Sequence, residues 1–218
     1  MRYPAPSLRE HELTVAWQAA SLLLDYPDET LLSRLDLIQQ AVAELPGTVR
    51  DPLRATVGRL AAEELTVLQQ RYVDTFDNRR RHNLYLTYFA HGDTRRRGVA
   101  LLRFKQAYLR SGYVLDDSEL PDHLCVVLEF AATVDQRLGW RLLLDHRAGL
   151  ELLRLALAEG ESPWLGAVRA VTATLPPLAG DEREAIARLA AEGPPQEEVG
   201  LTPYATPAFD PMLPGGHR

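Results

Sequence analysis

The chain has 218 residues, 46% of them hydrophobic and 25% charged, with a formal net charge of −6, enough to bury one sizeable core and carry a tail. A single cysteine, Cys125, rules out an intramolecular disulfide and any thiolate-rich zinc or iron–sulfur site, which fits a reducing compartment. Glu10 and Glu12 stand where a signal peptide would need apolar residues, and no run of about 18 apolar residues occurs, so a soluble cytoplasmic protein with no membrane span is expected.

In chain order, Leu13, Ala16, Trp17, Ala20, Leu23 and Leu24 fall at helical spacing and predict a first helix ending near Tyr26-Pro27, since the residue before proline disfavours the α region. Leu31, Leu32, Leu35, Ile38, Val42 and Leu45 predict a second, ended by Pro46-Gly47. Asp51-Pro52 reads as the start of a third, running through Leu53, Val57, Leu60, Leu65, Leu68, Tyr72 and Phe76 with a break in its middle. Residues 78–92 keep neither a helical nor a strand period, so they are expected to form a partly ordered connection whose tyrosines need not be buried. From Thr94 a helix resumes with Val99, Leu102, Phe104 and Tyr108 inward, ending at Ser111-Gly112.

Ser118 is positioned to cap the next helix, with Glu119, Pro121 and Asp122 in its first turn and a stripe of Leu120, Leu124, Val127, Ala131, Val134 and Leu138. Asp122 and His123 would project off that stripe. Trp140 to Ala158 is apolar around most of its circumference and predicts one central helix packed on several sides. Ser162-Pro163 opens a helix with Trp164, Leu165, Val168, Val171 and Leu175 inward, closed by Pro176-Pro177. Asp181 with Glu184 resembles a capping box for a last short helix holding Ile186 and Leu189. Beyond Gly193 prolines accumulate and apolar residues thin out. The expectation is an all-α, single helical-bundle domain over 8–192 and a Pro/Gly-rich tail over 193–218.

Charge is uneven along the chain. Residues 79–110 carry nine positive side chains, including the triplets Arg79 to Arg81 and Arg95 to Arg97, against one acid, Asp93. Arginines beside the aromatic group Tyr85, Tyr88 and Phe89 can neutralise phosphate and stack on bases, but the acidic balance and the lack of a nucleic-acid-binding motif stand against that use. Pairing with acids of neighbouring helices is the plainer reading. His82, His91, Asp93, Asp122, His123 and Glu129 suggest a metal or hydrolase set. On a single helix, however, Asp122 and His123 would point about 100° apart and Glu129 would lie about 10 Å away, too far to share an ion. Cys125, between apolar neighbours, reads as core rather than nucleophile.

Taken together, YVDTFD (Tyr72 to Asp77), LYLTYFAHGDTRRRG (Leu84 to Gly98) and ELPDHL followed by LEF (Glu119 to Phe130) resemble the NarJ branch of the NarJ/TorD family. These redox-enzyme maturation proteins include the nitrate reductase molybdenum cofactor assembly chaperone, or delta subunit. The resemblance runs from about Trp17 to Leu175. It departs at Cys125, where such chaperones often carry proline, and in the tail. It implies a helical, non-enzymatic cytoplasmic chaperone that binds the N-terminal segment of a membrane-associated nitrate reductase catalytic subunit until the molybdopterin guanine dinucleotide cofactor is inserted. The cofactor would belong to the client and none to the chaperone, with cofactor-delivery proteins as further partners. Carried over by motif, Pro121, Asp122 and His123 would lie at the client-peptide site, and Tyr85, Tyr88, His91, Gly92, Asp93 and Arg95 would form or support the adjacent loop. Two other readings stay open: a metal-dependent hydrolase using Asp122, His123 and Glu129, and a helical nucleic-acid-binding regulator using the arginine triplets.

Overall fold

The computed structural model describes residues 6–92, 94–116 and 119–192, apart from the side chains of Asp181, Glu182, Ala185 and Glu192. The capping role of Asp181, the placements of Asp93 and Ser118, and the tail from 193 onward lie outside the described residues. Among those residues the protein is all-helical. It contains α1 (Glu10–Leu24), α2 (Glu29–Ala41), α3 (Gly47–Ala61), α4 (Leu65–Tyr72), α5 (Tyr88–His91), α6 (Arg95–Arg110), α7 (Leu124–Thr133), α8 (Gln136–Asp145), α9 (Arg147–Glu159), α10 (Leu165–Thr174) and α11 (Gly180–Glu192). A π-helical turn, Val73–Asp77, extends α4, and a 3-10 turn, Arg80–His82, follows it. The sole extended pairing among the described residues is an isolated antiparallel bridge between Tyr85 and His123.

The predicted stripe of α1 is buried, and α1 packs against α7, α10, α3 and α2. Trp17 lies at its centre, donating its indole N–H to Thr174 Oγ1 of α10 at 3.1 Å and meeting the Trp140 ring at 6.2 Å. α10 crosses α3 closely because Gly166 has no side chain. A Cβ there would fall 2.1 Å from the carbonyl oxygen of Pro52, which no packed structure accommodates. Trp164 closes the other end of the core against Tyr72 and Phe76, with ring centroids 5.3 Å away in each case.

Several boundaries differ from the sequence expectation. α3 starts a turn before Asp51, because the N–H groups of Val49 and Arg50 both bond the Pro46 carbonyl at 2.9 Å. Pro52 therefore sits inside the helix and forfeits one backbone bond. The expected helix over 120–138 begins at Leu124, leaving Leu120 exposed and Asp122 in a turn rather than a helix. It also ends early, since the Asp135 carboxylate accepts the Leu138 N–H at 2.8 Å and caps a new helix, α8. The stretch from Trp140 to Ala158 is two helices, not one. His146 (φ −110°, ψ 18°) leaves helical geometry between α8 and α9, its Nδ1 lying 2.8 Å from the Leu142 carbonyl oxygen. Two helices with different buried faces, joined end to end, read as one helix apolar all round. The central position falls instead to α1 and α10.

The segment 78–92 is more ordered than its lack of periodicity suggested. Leu84, Leu86, Tyr88 and Phe89 are all buried. α6 also differs. It buries Ala100, Phe104, Ala107 and Tyr108, while Val99 and Leu102, expected inward, face outward.

Candidate functional site

Two segments far apart in sequence meet at the foot of α7. The N–H of Leu86 bonds the Asp122 carbonyl at 3.0 Å, and the N–H of Leu124 bonds the Leu84 carbonyl at 2.9 Å. Residues 84–86 are thereby laid along 122–124 across the Tyr85 and His123 bridge. Neither stretch satisfies its own backbone by helix formation, so each uses the other, as buried backbone must.

Asp122 fixes this pairing. It is fully buried, and its Oδ2 accepts from the Thr87 N–H at 3.1 Å and from the Thr87 hydroxyl at 2.5 Å. Arg97, in the first turn of α6, donates Nε–H to Thr87 Oγ1 at 3.3 Å and brings Nη2 to 3.8 Å from Asp122 Oδ2. The other carboxylate oxygen, Oδ1, is buried with no hydrogen-bond partner among the described residues. A buried carboxylate held this way depends on its donors and cation, and removing the carboxylate would leave both Thr87 donors without it. Pro121 is buried beside it, and its carbonyl accepts the Tyr108 hydroxyl at 2.6 Å.

Outside this latch lies a half-buried surface. The Tyr85 hydroxyl donates to Glu119 Oε1 at 3.0 Å, and its ring meets the His123 ring edge-on at 5.1 Å. The Arg97 guanidinium sits 5.2 Å from the centre of the Tyr85 ring and 6.0 Å from that of Tyr88, within cation–π range. Burial first, then the hydrogen bond to Glu119, pushes the Tyr85 hydroxyl up to about 12. Burial holds the His123 imidazole below its ordinary range, with Glu119, Asp25 and Asp122 pulling the other way. His123 is therefore neutral near pH 7. Gly92 ends α5 at φ 55°, ψ −154°, a backbone conformation other residues avoid, so the chain turns there toward α6.

Of the residues expected at the site, Tyr85, Tyr88, Pro121, Asp122 and His123 come together. His91 ends the short helix α5 that Tyr88 opens, Gly92 follows it, and Arg95 is exposed at the start of α6. Thr87, Arg97 and Glu119 are site residues that sequence reasoning missed. Arg97 is indistinguishable in sequence from its two neighbours in the triplet, and Thr87 has no periodic signature. Only the 35-residue contact with Asp122 marks it.

No group of three His, Cys, Asp or Glu among the described residues gathers as metal binding requires. Cys125 is buried, and burial raises its thiol well above the usual range, opposite to a nucleophile. What the surface does present is the half-buried Tyr85 ring beside a cation, Arg97, and a carboxylate, Glu119, a mixture common at polypeptide interfaces.

The architecture is similar to a solved structure from Archaeoglobus fulgidus described as a redox enzyme maturation protein, with a TM-score of 0.54 and 25% identity, covering 79% of this chain and 96% of that one. The chain belongs to the nitrate reductase delta subunit family, whose model matches residues 38–170. It is 43% identical over 160 residues to the nitrate reductase-like protein NarX of Mycobacterium tuberculosis, a match over 73% of this chain and 24% of that protein. It is also 32% identical over 145 residues to the nitrate reductase molybdenum cofactor assembly chaperone NarJ of Escherichia coli (strain K12), over 65% of this chain and 61% of that one. The matched region thus spans about a quarter of NarX and less than two thirds of NarJ. The likeness to the NarJ/TorD family read from the three motifs holds.

Proposed function

We propose that the chain is an assembly chaperone for a respiratory nitrate reductase. It binds the N-terminal segment of the catalytic subunit in the cytoplasm, keeps that subunit receptive while its molybdopterin guanine dinucleotide cofactor is inserted, and leaves before membrane attachment. It catalyses no reaction and carries no cofactor of its own. Membership of the delta subunit family is the observation that carries this reading, and the helical fold built around a polar, aromatic surface is consistent with it. No described helix is long and apolar enough to cross a membrane.

The client segment binds where 84–92 meets 119–123. Asp122 and Pro121 act from beneath, with the buried Tyr88 and His123 rings supporting the backbone and its aromatic layer, while the half-buried Tyr85 and Arg97 meet the peptide. His91, Gly92 and Arg95 shape the rim. An amphipathic peptide helix would place apolar side chains among the rings and let the charged rim set its orientation. Titration calorimetry of the intact protein with a synthetic peptide of the client N-terminus should show saturable one-to-one binding. In cells lacking the chain, the catalytic subunit should accumulate without its cofactor. No peptide binding together with normal cofactor content in such cells would refute the proposal.

A further inference from the structure

α6 differs from an ordinary surface helix, which shows the core one apolar stripe and turns polar residues outward. Its inner face is anchored by Phe104 against His146 at 4.9 Å and by Tyr108 against Phe130 at 4.5 Å. On the opposite side a second apolar line runs through Val99 (56% exposed), Leu102 (58%) and Leu109 (60%), and continues past the helix end to Val114 (76%). The spacing of three and seven residues keeps the three helical members on one face. Arg103 and Arg110, one position after Leu102 and Leu109, flank this line on one side, and Lys105 lies on the other. Arg95 to Arg110 contains no acidic residue. Among the described residues neither Arg103 nor Arg110 forms an ion pair.

We propose that this outer face of α6 is a docking surface for an anionic lipid bilayer. The proposal goes beyond the chaperone reading and does not depend on it. An apolar ridge with cations along its flanks is the pattern of helices that lie in the membrane interface, side chains in the acyl boundary and arginines among the headgroups. A stable protein partner covers about 20 to 30 residues a side, far more than one helical ridge supplies, whereas an interface accepts a single helix lying in its plane. The concentration of cations on this helix in an otherwise acidic chain would orient the molecule with α6 toward the lipid. Such docking is reversible and would bring a client held elsewhere on the chain to the membrane surface.

Flotation of the full chain with vesicles tests it. The protein should float with equimolar phosphatidylglycerol and phosphatidylcholine vesicles, stay behind with phosphatidylcholine alone, and detach as salt rises. Arg103→Ala with Arg110→Ala should lower the partition by roughly thirtyfold, and Leu102→Ser with Leu109→Ser should lower it with the melting temperature retained. Equal flotation with both vesicle types, no flotation with either, or a melting temperature that falls in the serine variant because the ridge is packed, would each overturn the proposal. So would a concentration-dependent dimer, abolished by the serine changes, in protein that does not float. Client-peptide affinity, measured on the same variants, should be unchanged, which separates this surface from the peptide site.

Discussion

Around Trp17 the chain is held by apolar side chains that repeat along single helices, and the packing of α1 on α7 and α10 excludes water from both faces of the contact. Around Asp122 it is held by hydrogen bonds between residues 35 positions apart, with no helix to carry them. The first region should respond to changes of volume and the second to changes of polarity at constant volume. The difference also assigns roles: the core supplies a rigid frame, and the latch determines which rings and charges reach the surface.

The largest effect belongs to the core. Trp17→Ala leaves a cavity between α1, α8 and α10 and removes the donor to Thr174 Oγ1, whose own hydroxyl still bonds the Val171 carbonyl, so chemical denaturation should show a loss of about 3–5 kcal/mol. Gly166→Ala should cost about 1–3 kcal/mol or more, because the new Cβ meets backbone rather than a side chain that can move aside. If Gly166→Ala were neutral, the close crossing of α3 and α10 would be wrong.

At the latch, Asp122→Ala leaves both Thr87 donors without their buried acceptor and takes the carboxylate away from Arg97, and should cost about 2–3 kcal/mol. Asp122→Asn keeps the volume but removes the charge, and should still lose a good part of that. Sequence reasoning places Asp122 in a first helical turn, off the apolar stripe, where alanine would cost about 0.3–1 kcal/mol in cap and dipole effects. An alanine variant as stable as the parent would restore that view and remove the latch.

A pH effect sharpens the comparison further. Burial first lowers the imidazoles of His82, His123 and His146, so each remains neutral in the folded protein below the point where the unfolded chain, near 6.5, takes up a proton. Protons then bind the unfolded state more, and stability should be fully present above about pH 6.5 and fall below it, by up to about 1.4 kcal/mol per pH unit for each histidine. Denaturant midpoints measured from pH 7.5 down to 5.5 check this, and His146→Phe should make the slope shallower. The smallest effect is expected at the exposed Arg50–Asp51 pair, where Arg50→Ala should move the midpoint by no more than about 0.5 kcal/mol.

The same contrast explains what could be read from the sequence. The stripes of α1, α2 and α10 were legible because one residue in three or four, repeated over several turns, has no other cheap explanation. The breaks at Asp135 and His146 were not, since each rests on one polar group bonding backbone inside an apolar pattern that otherwise continues. The motif residues Tyr85, Tyr88, Pro121, Asp122 and His123 were found through a family likeness, and spacing alone offered no reason to join them. Asp122 reads as part of a first helical turn because Pro121 and Glu119 fit such a turn locally. The competing interest of Thr87, from another part of the chain, decided the outcome.

The most direct test of the central claim measures client-peptide affinity and melting temperature together on Tyr85→Ala. That side chain lies outside the latch and makes its contacts with Glu119, His123 and Arg97 at the surface. A fall in affinity of about tenfold or more, the cost of losing a half-buried aromatic anchor, with the melting temperature within a few degrees of the parent, is the predicted result. Parent-like affinity in a folded Tyr85→Ala protein would contradict it and move the client site away from the junction of 84–92 with 119–123.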